Sequence, residues 1–390
     1  MLVRTPKRIT RLFLSAALIA SVSTGCATTE GDADTQADTA PEDTFDVAVT
    51  DLTDPPPDTT EPGDKGAGDV PLSPMAAKRA KVLAYIAGLP QGDTNRVLSG
   101  QHVGFGDGVP NGFGKYMTAL EEATGKTAAL LSVDFGYGKL NTESVWDLSI
   151  PNQVLIDFWN EGGLVTISWH ARNPWTGGSA WDKMGQVNGP VDLSDLLTEG
   201  TDAHTTWMGQ LDTIAGALAE LRDAGVVVIW RPFHECTAGS FWWGQRGAID
   251  SGQFVSMWRQ MHDLFTGEKG LDNLLWNYNA GDTDKTPADF AYPGDAYADL
   301  VSEDDYSVGH LLEGYDALTA LGKPYALGEV GPNEPDGTYD YLELIDVIRS
   351  TYPKVTYWNS WGGPPQADWS MVGNLNADAL LDDPWVITQD

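Results

Sequence analysis

Gly225-Val-Val-Val-Ile-Trp-Arg-Pro-Phe-His-Glu235 is the stretch on which the fold turns. Val226 to Trp230 are apolar without alternation, the pattern of a strand buried on both faces of a parallel sheet. Pro232 has no N–H to donate to a ladder, so the strand ends there. Arg231, His234 and Glu235 then bring a cation, an imidazole and a carboxylate to the carboxyl end, where α/β enzymes place their chemistry. A satisfied ion pair at a strand end is the plain structural alternative.

Outward from this stretch the chain repeats one pattern: a short apolar run, a polar segment, a helical stretch. Candidate strands lie at 96–102, 128–135, 163–170, 226–235, 273–279, 298–306, 324–331 and 355–361. Helical candidates fill 115–124, 151–161, 205–224, 251–265, 310–321 and 339–352. A further helix over 73–87 has Ser73 as N-cap and Pro74 in its first turn. Eight strands alternating with helices predict a (β/α)8 TIM barrel over residues 73–390. The competitor, an open doubly wound sheet, lacks a GxGxxG after its first strand. Residues 362–390 read as a tail closing the barrel.

The N-terminus is of another kind. Arg4, Lys7, Arg8 and Arg11 precede an apolar run over 12–22 and then Ser23-Thr24-Gly25-Cys26. This reads as an export signal over 1–26, too short in its apolar part to span a bilayer as a mature helix. The small residues before Cys26 resemble a bacterial lipoprotein signal, in which that cysteine carries the lipid; Ser23 stands where a Leu is usual, which leaves ordinary signal cleavage and secretion as the alternative. From 27 to 72 thirteen acids face the single Lys65 among many Thr, Pro and Gly, the composition of a disordered acidic tether. The expected location is outside the cytoplasm, lipid-anchored to the cell envelope or secreted, and the expected state is a monomer.

Of 390 residues, 42% are hydrophobic, ample for a large core, while the net charge of −33 argues against nucleic acid and polyanionic substrates. Only two cysteines occur, Cys26 and Cys236. If Cys26 is lipidated no disulfide forms, and Cys236 reads as a small packed residue rather than a nucleophile.

The strand ends carry the functional signal. They read Gln101-His102, Asp134-Phe135, Trp169-His170, His234-Glu235, Asn277-Tyr278-Asn279, Asp304-Asp305-Tyr306, Gly328-Glu329-Val330 and Trp358-Asn-Ser-Trp361. In a barrel these ends converge on one rim, which makes His102 and Arg231 candidate substrate contacts. Glu235 follows the fourth strand and Glu329 the seventh, across the mouth from each other. Two facing carboxylates suit glycosidic bond hydrolysis, with retention at ~5–5.5 Å separation and inversion at ~6.5–9.5 Å. Arg231, or a hydrogen bond from Tyr306, would hold one ionised while the other keeps its proton. Among 15 tryptophans, Trp169, Trp175, Trp242, Trp243, Trp358 and Trp361 stand near presumed strand ends, where aromatic faces stack on pyranose rings. Singly each reads as core; as a set they favour a polysaccharide cleft.

Trp230-Arg231-Pro232-Phe233-His234-Glu235 with Phe241-Trp242-Trp243-Gly244 resembles the acid/base segment of glycoside hydrolase family 26, best known for endo-β-1,4-mannanases. The likeness continues through Ser99-Gly100-Gln101-His102, Ser168-Trp169-His170 with Asn173-Pro174, Asn273-Leu-Leu-Trp276, Tyr292-Pro293-Gly294-Asp295 and Gly328-Glu329-Val330-Gly331. It implies a retaining (β/α)8 enzyme acting by double displacement on mannan, glucomannan or galactomannan, with Glu235 as acid/base and Glu329 as nucleophile. It further implies His234 holding the reacting sugar, His170 on the glycone side, and Asp304 with Tyr306 as the Asp-x-Tyr beside the nucleophile. Trp361 would form the aromatic floor, with Trp358 a competing alignment. One departure is Ser240, where some mannanases carry a Trp just before the Phe-Trp-Trp; stacking on the aglycone side would then come from Trp242 or Trp243.

Within the family, mixed-linkage β-1,3/1,4-glucan and β-1,3-xylan are alternative substrates. A non-catalytic glycan-binding lipoprotein is the rival of another class, disfavoured because both glutamates are present. A metal hydrolase built on His102, His170 and His234 has no HExxH-type spacing behind it. The expectation is catalysis without metal or cofactor. The sixth strand is more acidic than a core strand should be, and the pattern leaves open whether Glu303 and Asp305 face the site or a polar layer of the core.

Overall fold

A computed structural model of the chain describes residues 72–94, 96–136, 147–182, 192–244, 250–281, 286–363 and 368–389. The expected export signal, Cys26 and all of the expected acidic tether except Leu72 lie outside the described residues. Eight parallel strands follow one another: β1 (Gly100–Phe105), β2 (Leu130–Asp134), β3 (Leu164–Trp169), β4 (Val228–Pro232), β5 (Leu274–Ala280), β6 (Leu300–Asp305), β7 (Tyr325–Val330) and β8 (Val355–Ser360). Each pairs with the next, and Gln101 of β1 pairs with Ser360 of β8, so the sheet closes. The (β/α)8 barrel is the fold expected from the alternating pattern.

Alternation along each strand sorts the side chains. Trp169 of β3 points outward and stacks 5.5 Å from Trp207 of the helix Asp202–Asp223, while its neighbours Ser168 and His170 join the polar mouth. Buried aromatics of this kind contribute roughly 2–3 kcal/mol each to the outer core. Inside the barrel a polar ladder replaces apolar filling: Asn277 donates to Tyr357 at 2.8 Å, Ser302 to Asn277 at 3.1 Å and Asn279 to Ser302 at 2.9 Å.

The ends of the fold are closed as their sequence suggests. Ser73 caps the helix Pro74–Gly88 through the Ala76 N–H, and Pro74 opens it. At the base, Val97 and Leu98 pair with Val386 and Ile387, and Gln389 N–H donates to Thr127 at 2.9 Å, so the C-terminal tail seals the barrel.

Two helices differ from expectation. The one expected over 310–321 shrinks to Tyr315–Thr319, because Gly309 and His310 adopt left-handed backbone, φ 78° and 54°, that a helix cannot continue. The one expected over 115–124 begins earlier, at Val109–Phe113, and passes through a π-turn at Gly114–Thr118 before Ala119–Thr124. Pro110 is tolerated there because a first-turn N–H has no helical partner to lose.

Candidate active site

β4 ends at Pro232, and the chain then turns sharply upward over the mouth. Phe233 and Glu235 both take positive φ, 51° and 53°, a region non-glycine residues rarely occupy. The surroundings hold that strain. The Phe233 ring sits among Trp207, Trp242, Trp243, Phe254 and Trp258, with centroids 5.8 to 6.3 Å away. Asn279 of β5 accepts the Glu235 N–H at 2.8 Å. The site's first carboxylate is thereby placed by an apolar anchor on one side and an amide on the other.

The second carboxylate is placed by an irregularity. Pairing of β6 with β7 runs Glu303 to Leu327 and then jumps to Asp304 with Glu329, leaving Gly328 as an extra residue. Such a bulge re-aims the side chain that follows. Without it Glu329 would face the helices; with it Glu329 faces the mouth beside Asp304. Gly328 also faces inward, and a Cβ there would lie 2.6 Å from the Asn279 amide and 2.7 Å from the Asp304 carboxylate.

Glu329 is held from two sides. Arg231 donates to one oxygen at 2.5 Å and the Tyr306 hydroxyl to the other at 2.9 Å. Arg231 also reaches both Asp304 oxygens at 3.2 Å, and Asn279 donates to Asp304 at 2.8 Å. Oxygens of Glu235, Asp304 and Glu329 all lie within 4.8 Å of one another. Three carboxylates around one guanidinium leave excess negative charge, so the group retains a proton. Burial, then the Glu329 charge, pushes Glu235 up to about 7, while Arg231, His170 and a hydrogen bond with Ser240 oppose the rise. Burial also raises Asp304, against the pull of Arg231. This acidic trio has metal-ligand spacing, but Arg231 already supplies its cation.

A second network builds the adjoining wall. Asp134 at the end of β2 accepts from Ser168 Oγ at 2.6 Å and from His170 Nδ1 at 2.7 Å. His170 and His234 approach Nε2 to Nε2 at 3.2 Å. Burial and the neighbouring His170 lower His234 well below the ordinary imidazole range. Trp181, 38% exposed, stacks on His170 at 4.8 Å, and Phe241 sets its edge against both. His102 stacks at 3.8 Å on the partly exposed Trp361 and is itself fully buried, which lowers it to about 3. It backs the Trp361 ring and does not reach the open cleft, a correction to its expected sugar contact.

The structure thus brings together Glu235, Glu329, Arg231, Asp304, Tyr306, His170, His234 and Trp361. Trp242 and Trp243 correct the expectation of sugar stacking. Both are fully buried, with indole N–H groups donated to the carbonyls of Ala171 and His234, and their rings belong to the Phe233 nest. Trp175 lies at the rim, edge-on to Trp242 and donating to Asp195 at 3.2 Å. Trp358 is buried opposite Leu327, which leaves Trp361 as the strand-eight aromatic at the mouth. Cys236 is packed and its thiol is pushed up to about 12 by burial, in keeping with its reading as a core residue. Glu303 and Asp305 face outward from the barrel. Sequence reasoning missed Asp134, Asn279, Gly328 and Trp181 as site builders. The first two and Gly328 stood in the strand-end pattern, where a glycine inside a strand is itself the mark of a bulge; Trp181 had no local signal.

A (β/α)8 barrel with facing glutamates at the ends of β4 and β7, an arginine and tyrosine on one of them, and aromatics around the rim defines a glycosidase architecture. The family model described as glycosyl hydrolase family 26 matches residues 72–390. The chain belongs to this family of glycoside hydrolases. A mannan endo-1,4-β-mannosidase A and B of Caldalkalibacillus mannanilyticus is 34% identical over 327 residues, covering 81% of this chain and 62% of that protein. The chain therefore spans less than two thirds of that relative's length. A mannan endo-1,4-β-mannosidase of Bacillus subtilis is 33% identical over 332 residues, covering 82% and 88% of the two chains. The solved structure of a Bacillus subtilis mannanase superposes with a TM-score of 0.71 at 31% identity, over 80% of this chain and 92% of that one.

Proposed function

We propose that this chain hydrolyses internal β-1,4-mannosidic bonds of mannan, glucomannan or galactomannan with retention, by double displacement. The observation that carries the reading is the separation of the two glutamates. Oxygens of Glu235 and Glu329 lie within 4.8 Å, near the ~5–5.5 Å of retaining enzymes and short of the ~6.5–9.5 Å that an inverting water needs. Glu329, hydrogen-bonded by Arg231 and Tyr306, attacks the anomeric carbon. Glu235, still protonated near neutrality, gives its proton to the departing oxygen. Once Glu329 is esterified its negative charge is gone, so the Glu235 pKa falls. Glu235 then takes a proton from the water that releases the sugar. Mannan as substrate is supported by the names of the relatives above.

The reading extends to export, with a lipid on Cys26 and the acidic tether spacing the barrel from the envelope. Its support is the basic and apolar segment before the small residues that precede Cys26. Palmitate labelling of the expressed chain, lost in Cys26→Ser, is the expected result; labelling that survives the substitution would contradict it.

The reaction is tested by reducing-sugar release from glucomannan, galactomannan, lichenan and β-1,3-xylan. We expect release from the mannans alone, and a fall on the order of 10⁴-fold or more in Glu329→Ala. Release from lichenan or xylan alone would keep the mechanism and overturn the substrate.

A further inference from the structure

On the outer side of β6 and β7, a buried chain of polar groups has no part in the reaction described above. Asp305, the last residue of β6, is 3% exposed and points away from the mouth. One oxygen accepts from Ser307 N–H at 3.0 Å and Ser307 Oγ at 2.6 Å; the other meets His310 Nδ1 at 2.5 Å. His310 Nε2 in turn meets the Tyr339 hydroxyl at 2.5 Å. Burial raises the phenol, which keeps its proton, and Tyr339, His310 and Asp305 form one continuous hydrogen-bonded chain.

Two further observations say what this chain is attached to. His310 sits in left-handed backbone at φ 54°, a conformation held only where surrounding contacts over-determine it. The Asp305 carbonyl accepts the Gly331 N–H at 3.2 Å, and Asp305 pairs with Val330, directly after the bulge that turns Glu329 inward. Tyr339 belongs to the segment after β7. Its ring lies 4.7 Å from Tyr341, whose hydroxyl donates to the Trp369 carbonyl, and the Trp369 ring is set edge-on to Tyr306. The chain thus joins the outer sides of two strand ends whose inner sides carry Asp304, Tyr306 and Glu329.

We propose that Asp305, His310 and Tyr339 are positioning residues for the nucleophile: by tying the end of β6 to the segment after β7, they hold Tyr306 and Asp304 in register with Glu329. None of the three touches substrate. A backbone slip of a fraction of an ångström at β6 would lengthen the Tyr306 to Glu329 hydrogen bond, which costs turnover and leaves sugar binding elsewhere in the cleft intact. The inference rests on Glu329 being the nucleophile.

The test uses the full chain with Tyr339→Phe, which keeps the ring and removes the hydroxyl, and His310→Gln. Each is measured for kcat, KM and Tm on a mannan oligosaccharide, alone and combined with Tyr306→Phe, with Glu329→Ala alongside. We expect kcat to fall roughly tenfold in Tyr339→Phe, KM to stay within about twofold, and Tm to stay within a few degrees. Combined with Tyr306→Phe, the second loss should largely vanish, because both changes break one linkage. Wild-type kcat in a folded Tyr339→Phe overturns the proposal, as does a rise in KM alone or a loss that multiplies with that of Tyr306→Phe. Should His310→Gln fail to fold, Tyr339→Phe decides. Activity surviving in Glu329→Ala would instead remove the nucleophile assignment.

Discussion

The inner and outer faces of β6 carry acids one residue apart, in very different company. On the inner face Asp304 shares the Arg231 guanidinium with Glu329 and takes an amide proton from Asn279. On the outer face Glu303 is met by the Tyr325 hydroxyl and, at 3.0 Å, by the Gly314 N–H. Burial pushes Glu303 up to about 7. Glu235, over the mouth, reaches the same value, but there the Glu329 charge adds to burial. In the proposed double displacement, the part of the Glu235 shift that comes from the Glu329 charge is removed when Glu329 is esterified, while the part from burial stays. The Glu303 shift is a fixed property of a packed layer between sheet and helices. On the proposed mechanism, equal pKa values serve turnover at Glu235 and bear on folding at Glu303.

That distinction predicts that a change at Glu235 alters rate and a change at Glu303 alters stability. The largest expected effect in the mouth, after loss of the nucleophile, belongs to Glu235→Gln. Hydrolysis of mannan should drop about 10²- to 10⁴-fold, and the alkaline fall in activity near pH 7 should disappear with the ionising group. A pH–rate profile of both proteins checks this; an unchanged alkaline limb would separate Glu235 from the proton transfer.

Gly328→Ala is intermediate. The added methyl meets Asn279 and Asp304, so a stability cost of about 1–3 kcal/mol is expected, together with a kcat loss greater than the KM change. Denaturant unfolding and steady-state kinetics on one preparation measure both. A variant with normal kcat would mean that Glu329 is not aimed by the bulge.

Glu303→Gln should have the smallest effect, confined to stability. Its folded pKa lies above the unfolded one, so its contribution is complete below about pH 4.5 and is lost as pH rises through 7. In alkaline solution the wild type carries a penalty on the order of 3 kcal/mol from ionising this side chain in place. The Gln variant should therefore match wild type in Tm near pH 5 and exceed it near pH 8, with kcat unchanged. A Tm difference that does not vary with pH would refute the assignment.

Much of the site was legible in the strand ends, because a barrel converts the last residue of each strand into a neighbour of the others. Arg231, Glu235, Asp304, Tyr306 and Glu329 were found this way, by position and residue type. Aromatic residues were less transparent. Trp242, Trp243, Trp361 and Trp181 are alike in composition, yet two are core, one is a floor backed by His102, and one is an exposed platform on His170. Residue type states that an indole seeks contact; only the packing decides whether that contact is Phe233 or the open cleft. The expected helix over 310–321 failed for a related reason. Its apolar spacing was adequate, but His310 found buried partners in Asp305 and Tyr339 that a helical backbone would have denied it.

The sequence alone determined the closed barrel and the two glutamates, since unbroken apolar strands at regular spacing and polar strand ends are local properties. Tertiary structure decided which way those groups face. One extra residue at Gly328 turns Glu329 from the helices to the mouth, and a one-residue alternation sends Asp304 inward and Asp305 outward. A register shift moves every following side chain to the opposite face without altering the composition of the strand that carries it.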